Sequence, residues 1–215
     1  RQYQLLTENG GEEMTDYTQV DHLPTHGKRV VFQGVEGAYS FGAMKEFFDD
    51  TITSFHVDTW KEAMEAITKG EADYAVLPIE NSTAGIVSDI YDLLVEYPHY
   101  IVGEQELPVE HVLMALPGAK VEDIRTVISH PQALAQCRRF LDSNENWKTE
   151  ERLNTAAAAK EVSESGDLTM AAVGSPYAAE HFGLQILKED IFDARGNTTR
   201  SVSYTHLRAH ETAAN

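Results

Sequence analysis

The chain has a single cysteine, Cys137, and no uninterrupted apolar run near the roughly 18 to 20 residues that a membrane-spanning helix requires. A lone thiol excludes an internal disulfide framework and any multi-cysteine metal site. It suits a reducing compartment, with the cytoplasm as the default. No basic segment followed by an apolar stretch opens the chain, so nothing marks it for export. Positive charge is scarce as well: 17 Lys and Arg stand against 35 Asp and Glu, a formal net charge of -18. A polyphosphate needs a basic stripe, and these cations are scattered, which argues against a nucleic-acid partner; no membrane partner is expected either. A small anionic ligand remains compatible if local donors hold it. Such donors are backbone N–H groups at helix starts, Asn, Ser and Thr side chains, and one or two arginines.

At 215 residues and 42% hydrophobic, the chain can form one large domain or two small lobes with buried cores. Residues 1–6 read as the end of a helix from an upstream segment, and 7–28, rich in Gly, Glu, Asp, Thr and Pro, read as a linker. From Arg29, short apolar runs alternate with helical patterns. Strands are predicted near 29–32, 52–57 and 74–78, and helices near 39–49, 60–69 and 85–96. Thr59 and Glu62 form a capping box for the second helix, and Gly70 stops it. A second set follows, with strands near 111–116, 125–129, 148–152 and 170–173 and helices near 131–142, 156–165 and 176–182. This βαβ rhythm predicts mainly parallel sheets in two α/β lobes. Residues 29–106 with 188–200 would form the first lobe and 107–187 the second, with crossings near Glu104–Pro108 and Leu187–Asp193 and a ligand in the cleft between them. Residues 201–215 continue neither pattern and read as a non-native tail. Its His206 and His210 stand at i, i+4 without a third ligand, so no metal site is expected there.

Several motifs sit where strands end and helices begin. Gly34-Val35-Glu36-Gly37-Ala38-Tyr39-Ser40 opens the first helix, where backbone N–H groups can face an anion; a simple chain-reversing turn explains these residues equally well. The spacing is not the dinucleotide fingerprint. Pro78-Ile79-Glu80-Asn81-Ser82-Thr83-Ala84-Gly85 puts consecutive polar side chains at the carboxyl edge of a sheet, where ligands bind. Capping accounts for one of them and not for all. His130-Pro131-Gln132 starts a helix with proline in its first turn; without a nucleophile and an acid the histidine reads as structural, and Cys137 as a packed small hydrophobe. Asn154-Thr155 and Gly174-Ser175-Pro176 place an amide or hydroxyl at two more helix starts. Asn197-Thr198-Thr199-Arg200 sets an arginine beside hydroxyls, a pattern suited to pairing a carboxylate.

In this order, G-A-Y-S, P-I-E-N-S-T-A-G, H-P-Q-A-L-A-Q-C, N-T-A-A-A-A, G-S-P-Y-A-A-E-H-F-G-L and N-T-T-R resemble the prephenate dehydratase family, over about Arg29 to Arg200. The resemblance implies a bilobal α/β fold like that of type II periplasmic solute-binding proteins, with the active site in the cleft. It implies decarboxylating dehydration of prephenate to phenylpyruvate on the route to phenylalanine, with no cofactor and no metal, in a homo-oligomer, dimer or tetramer, of the full-length protein. The family's closing T-R-F matches Thr199 and Arg200, with Ser201 in place of phenylalanine. The resemblance makes Thr199 the catalytic residue, with Glu80 as a second acid if burial keeps it protonated. It gives Asn81, Ser82, Thr155, Arg200 and Ser40 to the substrate. Arg1–Leu6 resembles the end of the chorismate mutase helical domain of bifunctional relatives. Nothing matches an ACT regulatory domain, so feedback control by phenylalanine is not expected. Two other readings stay open: a bilobal module that binds a small anionic solute, and a dehydratase acting on arogenate.

Overall fold

The structure, a computed structural model, describes residues 2–6, 16–20, 23–82, 85–193 and 197–205. The chain divides into two compact units. Unit 1 comprises Arg1–Gly34, Ala43–Leu107 and Thr198–Asn215, and unit 2 comprises Val35–Gly42 and Pro108–Asn197.

In unit 1, two hairpin strands, β1 (Gln2–Leu6) and β2 (Asp16–Val20), precede β3 (Arg29–Gln33), α1 (Tyr39–Phe47), whose first turn belongs to unit 2, β4 (Thr53–Val57) and α2 (Trp60–Thr68). There follow β5 (Tyr74–Asn81), the short β6 (Gly85–Ile86), α3 (Ser88–Glu96) and β7 (Tyr100–Pro108). The sheet is completed by β13 (Thr198–Thr205), in the order β2-β1-β7-β13-β5-β3-β4, with β6 beside β5. β3 pairs in parallel with β4 and β5, as the βαβ rhythm predicts. The Thr59–Glu62 capping box is present, and Gly70, at φ +72°, turns the chain out of α2 in the left-handed conformation that glycine adopts without a Cβ clash. Behind the sheet, Ala63, Met64 and Ile67 of α2 and Ile90 of α3 pack on Val31, Ala75, Leu77, Val202 and Tyr204.

Unit 2 has β8 (Val112–Ala115), β9 (Thr126–Ser129), α4 (Pro131–Gln136), α5 (Arg138–Asp142), β10 (Lys148–Glu151), α6 (Thr155–Ser165), β11 (Met170–Gly174), α7 (Pro176–His181) and β12 (Gln185–Lys188). Its sheet runs β10-β9-β11-β8-β12. The first two pairings are parallel and the last two antiparallel. Among the described residues no helix is long and apolar enough to cross a membrane.

Several sequence expectations change. Gln2–Leu6, read as a helix end, is a strand held by β2 and β7. The linker reading of 7–28 fails at Asp16–Val20, which is β2, and at Leu23, which is 4% exposed; residues 7–15 and 21–22 lie outside the described ones. Ser201–Thr205, set apart with the tail, are the buried half of β13. Val202 and Tyr204 point into the core, and Ser201, Ser203 and Thr205 are buried as well. His206 and His210 lie outside the described residues. The return crossing falls at Asn197/Thr198, later than Leu187–Asp193, because β12 completes the second sheet and Ile191 and Phe192 pack into the core of unit 2. The helix expected over 131–142 breaks at Cys137. There the Asp193 carboxylate accepts the Arg139 N–H at 3.2 Å, starting a new helix from a residue distant in sequence.

Candidate functional site

In unit 1 residues 78–82 of one sequence motif and 198–200 of another meet edge to edge. β13 runs antiparallel to β5, with Thr199 opposite Asn81 and Arg200 opposite Glu80. The register then slips, so that Ser201 faces Pro78 and Ile79 is the extra residue. The Ile79 carbonyl accepts the Val87 N–H at 3.0 Å. Such a bulge re-aims the side chains beside it. At the mouth of the pair the Ser82 N–H donates to the Thr198 carbonyl at 2.9 Å, and the Thr198 N–H donates to Ser82 Oγ at 2.9 Å. Ser82 therefore fixes the start of β13.

One residue further in, Asn81 Nδ2–H donates to Thr199 Oγ1 at 3.0 Å. A hydroxyl has one hydrogen and two lone pairs. With one lone pair engaged by the amide, the Thr199 O–H is left to point away from Asn81 as a donor. Beside it, Arg200 lies between two carboxylates: its Nε is 3.2 Å from Glu104 Oε1 of β7, and its Nη1 is 3.7 Å from Glu80 Oε2. The Glu80 side chain is 43% exposed, so the burial that its role as an acid requires is not present. Thr83 and Ala84 lie outside the described residues.

Unit 2 holds His130, Asn154, Thr155 and Ser175 after its own strands, together with Gly37 and Ser40, which follow β3 of unit 1. Ser175 caps α7 by accepting the Ala178 N–H at 3.1 Å and donates its own hydrogen to the Gly37 carbonyl at 2.7 Å. Gly37 has φ +86°, and a Cβ there would stand 3.0 Å from Ala178 Cα, so only glycine lets this loop dock. Gly174 lies against Thr155, the first residue of α6, and Asn154 caps that helix through the Ala157 N–H at 2.7 Å. Asn154 is thus committed to the helix, while Thr155 and Ser40, in the first turn of α1, are partly buried. His130 Nδ1 accepts the Gln132 N–H at 3.2 Å, in agreement with its structural reading. Burial in the core, with Asp193 nearby, pushes the Cys137 thiol up to about 12. Among the described residues no cluster of three or more His, Cys, Asp and Glu is arranged to hold a metal.

Sequence reasoning passed over two residues: Glu104, which lay in an expected crossing, and His111. His111 is 3% exposed and bonds Gln136 Oε1 through Nε2 at 2.7 Å, which leaves Nδ1 3.0 Å from the Tyr39 hydroxyl. Burial holds its pKa below the ordinary 6.5 against the opposing pull of the Gln136 bond. The unfolded chain therefore binds more protons than the folded one between that lowered value and 6.5. Stability is full above that window and falls as pH drops through it. Thermal midpoints measured from about pH 7.5 down to about 5 should fall less steeply for His111→Phe than for the parent; equal slopes would contradict the assignment.

The fold and site define an α/β protein of two units with a threonine, an asparagine and an arginine on adjoining strand ends. The prephenate dehydratase sequence profile matches residues 30–206, and the chain belongs to that family. It is 40% identical to arogenate dehydratase 1 of Petunia hybrida over 212 residues, which cover 92% of this chain and 50% of that protein. The chain thus spans about half the length of this curated relative. Among solved structures it resembles the prephenate dehydratase of Arthrobacter aurescens in complex with L-Phe. That match has a TM-score of 0.71 at 31% identity and covers 83% of this chain and 60% of the other. It also resembles GqqA, described as a novel type of quorum quenching acylase. Here the TM-score is 0.75 at 37% identity, with 83% and 64% covered.

Proposed function

We propose that the chain catalyses the decarboxylating dehydration of prephenate to phenylpyruvate, and that Thr199 is the group that helps the ring hydroxyl leave. The observation that carries this reading is the Asn81 amide bond to Thr199 Oγ1, which turns the hydroxyl into an outward donor beside an arginine. In the reaction the ring C–O bond breaks with its electron pair on oxygen, and one proton joins that hydroxyl to form water. The bond to the ring carboxylate also breaks, its pair entering the ring as carbon dioxide departs. Aromatisation drives the change, so the protein's work is to position two carboxylates and to donate to the leaving oxygen.

Thr199 donates to that oxygen and solvent restores its proton. Arg200 pairs a substrate carboxylate, while Ser82 holds the strand start that carries both. Ser40 and Thr155 are assigned to substrate binding as well. Glu80, exposed and facing Arg200, serves the arginine better than it serves as an acid. The single buried thiol supports a reducing, cytoplasmic setting.

Identity to the Petunia arogenate dehydratase supports a second substrate, arogenate, at the same site. An acylase reading, raised by the name of GqqA, needs a hydroxyl activated by a base, whereas Thr199 Oγ1 bonds an amide. Purified protein should convert prephenate to phenylpyruvate, followed by ultraviolet absorbance, with arogenate assayed in parallel. Binding of prephenate without turnover of either compound would favour a solute-binding module.

A further inference from the structure

We infer that Glu104 is a positioning residue that orients Arg200 for the substrate carboxylate, a role resting on the reading of Arg200 given above. β13 lies between β5 and β7 in the sheet, so Arg200 has a glutamate on each neighbouring strand. The two are not equivalent. Glu104 Oε1 is the closer ion-pair partner, 3.2 Å from Nε, whereas Glu80 Oε2 is 3.7 Å from Nη1.

A guanidinium can take a carboxylate through its Nε side or through the two terminal nitrogens. The Glu104 ion pair lies on the Nε side and so leaves the terminal nitrogens for an end-on grip. Among the described residues that edge carries the loose Glu80 contact, which an incoming carboxylate can displace. The two glutamates and the arginine together bear a net negative charge, an unfavourable field for an anionic substrate. This makes the sign of the effect diagnostic. If Glu104 acted only as a nearby negative charge, its removal would lower KM. As the residue that aims the arginine, its removal raises KM.

The Arg200 and Glu104 side chains are 45% and 51% exposed, so the pair is screened and its effect is modest. With an exposed ion pair as the guide, Glu104→Ala should raise KM about five-fold, with kcat within about two-fold of the parent. Glu104→Gln, which keeps the side chain's shape without its charge, should fall between. Melting temperatures of both variants should match the parent, which separates aiming from general destabilisation.

A double-variant cycle completes the test, because lysine has no Nε–H fork to aim. In an Arg200→Lys background, Glu104→Ala should leave KM unchanged. If Arg200→Lys and Arg200→Ala themselves leave KM at the parental value, Arg200 is not the carboxylate ligand and the functional reading loses that residue. If the arginine variants raise KM but Glu104→Ala lowers it, leaves it unchanged, lowers kcat instead, or multiplies with Arg200→Lys, the inference about Glu104 alone is overturned.

Discussion

Thr199→Ala should lower turnover about 100- to 1000-fold while leaving substrate affinity nearly unchanged, the usual consequence of removing one preorganised donor to a departing or developing charge. The interaction it removes strengthens as the C–O bond breaks, so the loss appears in kcat. Thr199→Ser should keep part of the rate, since the hydroxyl and its bond from Asn81 can both persist. The substitution touches no packed core: Thr199 stands at the start of β13, ahead of the buried run from Ser201 to Thr205. A large fall in kcat with an unchanged melting temperature is therefore the expected pair of readings. Near-parental turnover in a folded protein would remove Thr199 from the chemistry.

Asn81→Asp should be almost as damaging, although the side chain keeps its shape. The amide nitrogen that donates to Thr199 Oγ1 at 3.0 Å is replaced by a carboxylate oxygen, which can only accept. The bond then reverses: the threonine gives its hydrogen to the new carboxylate, and the donor is turned away from the substrate. Turnover should fall about 100-fold, on the same scale as the loss of a donor. Asn81→Ala should cost less, because Thr199 keeps its hydrogen and loses only its orientation. If Asn81→Ala proves the more harmful, the amide serves the substrate directly and not the hydroxyl.

Much of the site is legible in the sequence because its chemistry sits at strand ends, where local rules operate. Asn81 and Ser82 follow an apolar run, so their place at a sheet edge could be read without coordinates, whereas Thr199 and Arg200 are legible only as hydroxyls beside an arginine and prove to open a strand. What could not be read is pairing. That Asn81 faces Thr199, and that Arg200 lies between Glu80 and Glu104, depends on β13 entering the sheet between β5 and β7. Such long-range contacts leave no local trace.

The same limit explains the misplaced elements. Gln2–Leu6 lacks strong periodicity and becomes a strand only through β2 and β7. Ser201–Thr205 alternates small polar and apolar residues, as a strand should, yet it is buried on both faces in a way no local pattern signals. Cys137 breaks a continuous helical pattern because the Asp193 carboxylate offers the Arg139 amide a better partner. The Thr59–Glu62 capping box, by contrast, is wholly local and appears as expected.

That the Thr199 hydroxyl, aimed by Asn81, works on the departing oxygen is tested most directly by the turnover of the Asn81→Asp/Thr199→Ala double variant. With no hydroxyl left to capture, the introduced carboxylate has nothing further to disable, so kcat should equal that of Thr199→Ala alone. A double variant slower by the product of the two single effects would mean that the residues act independently, contradicting the account at its centre.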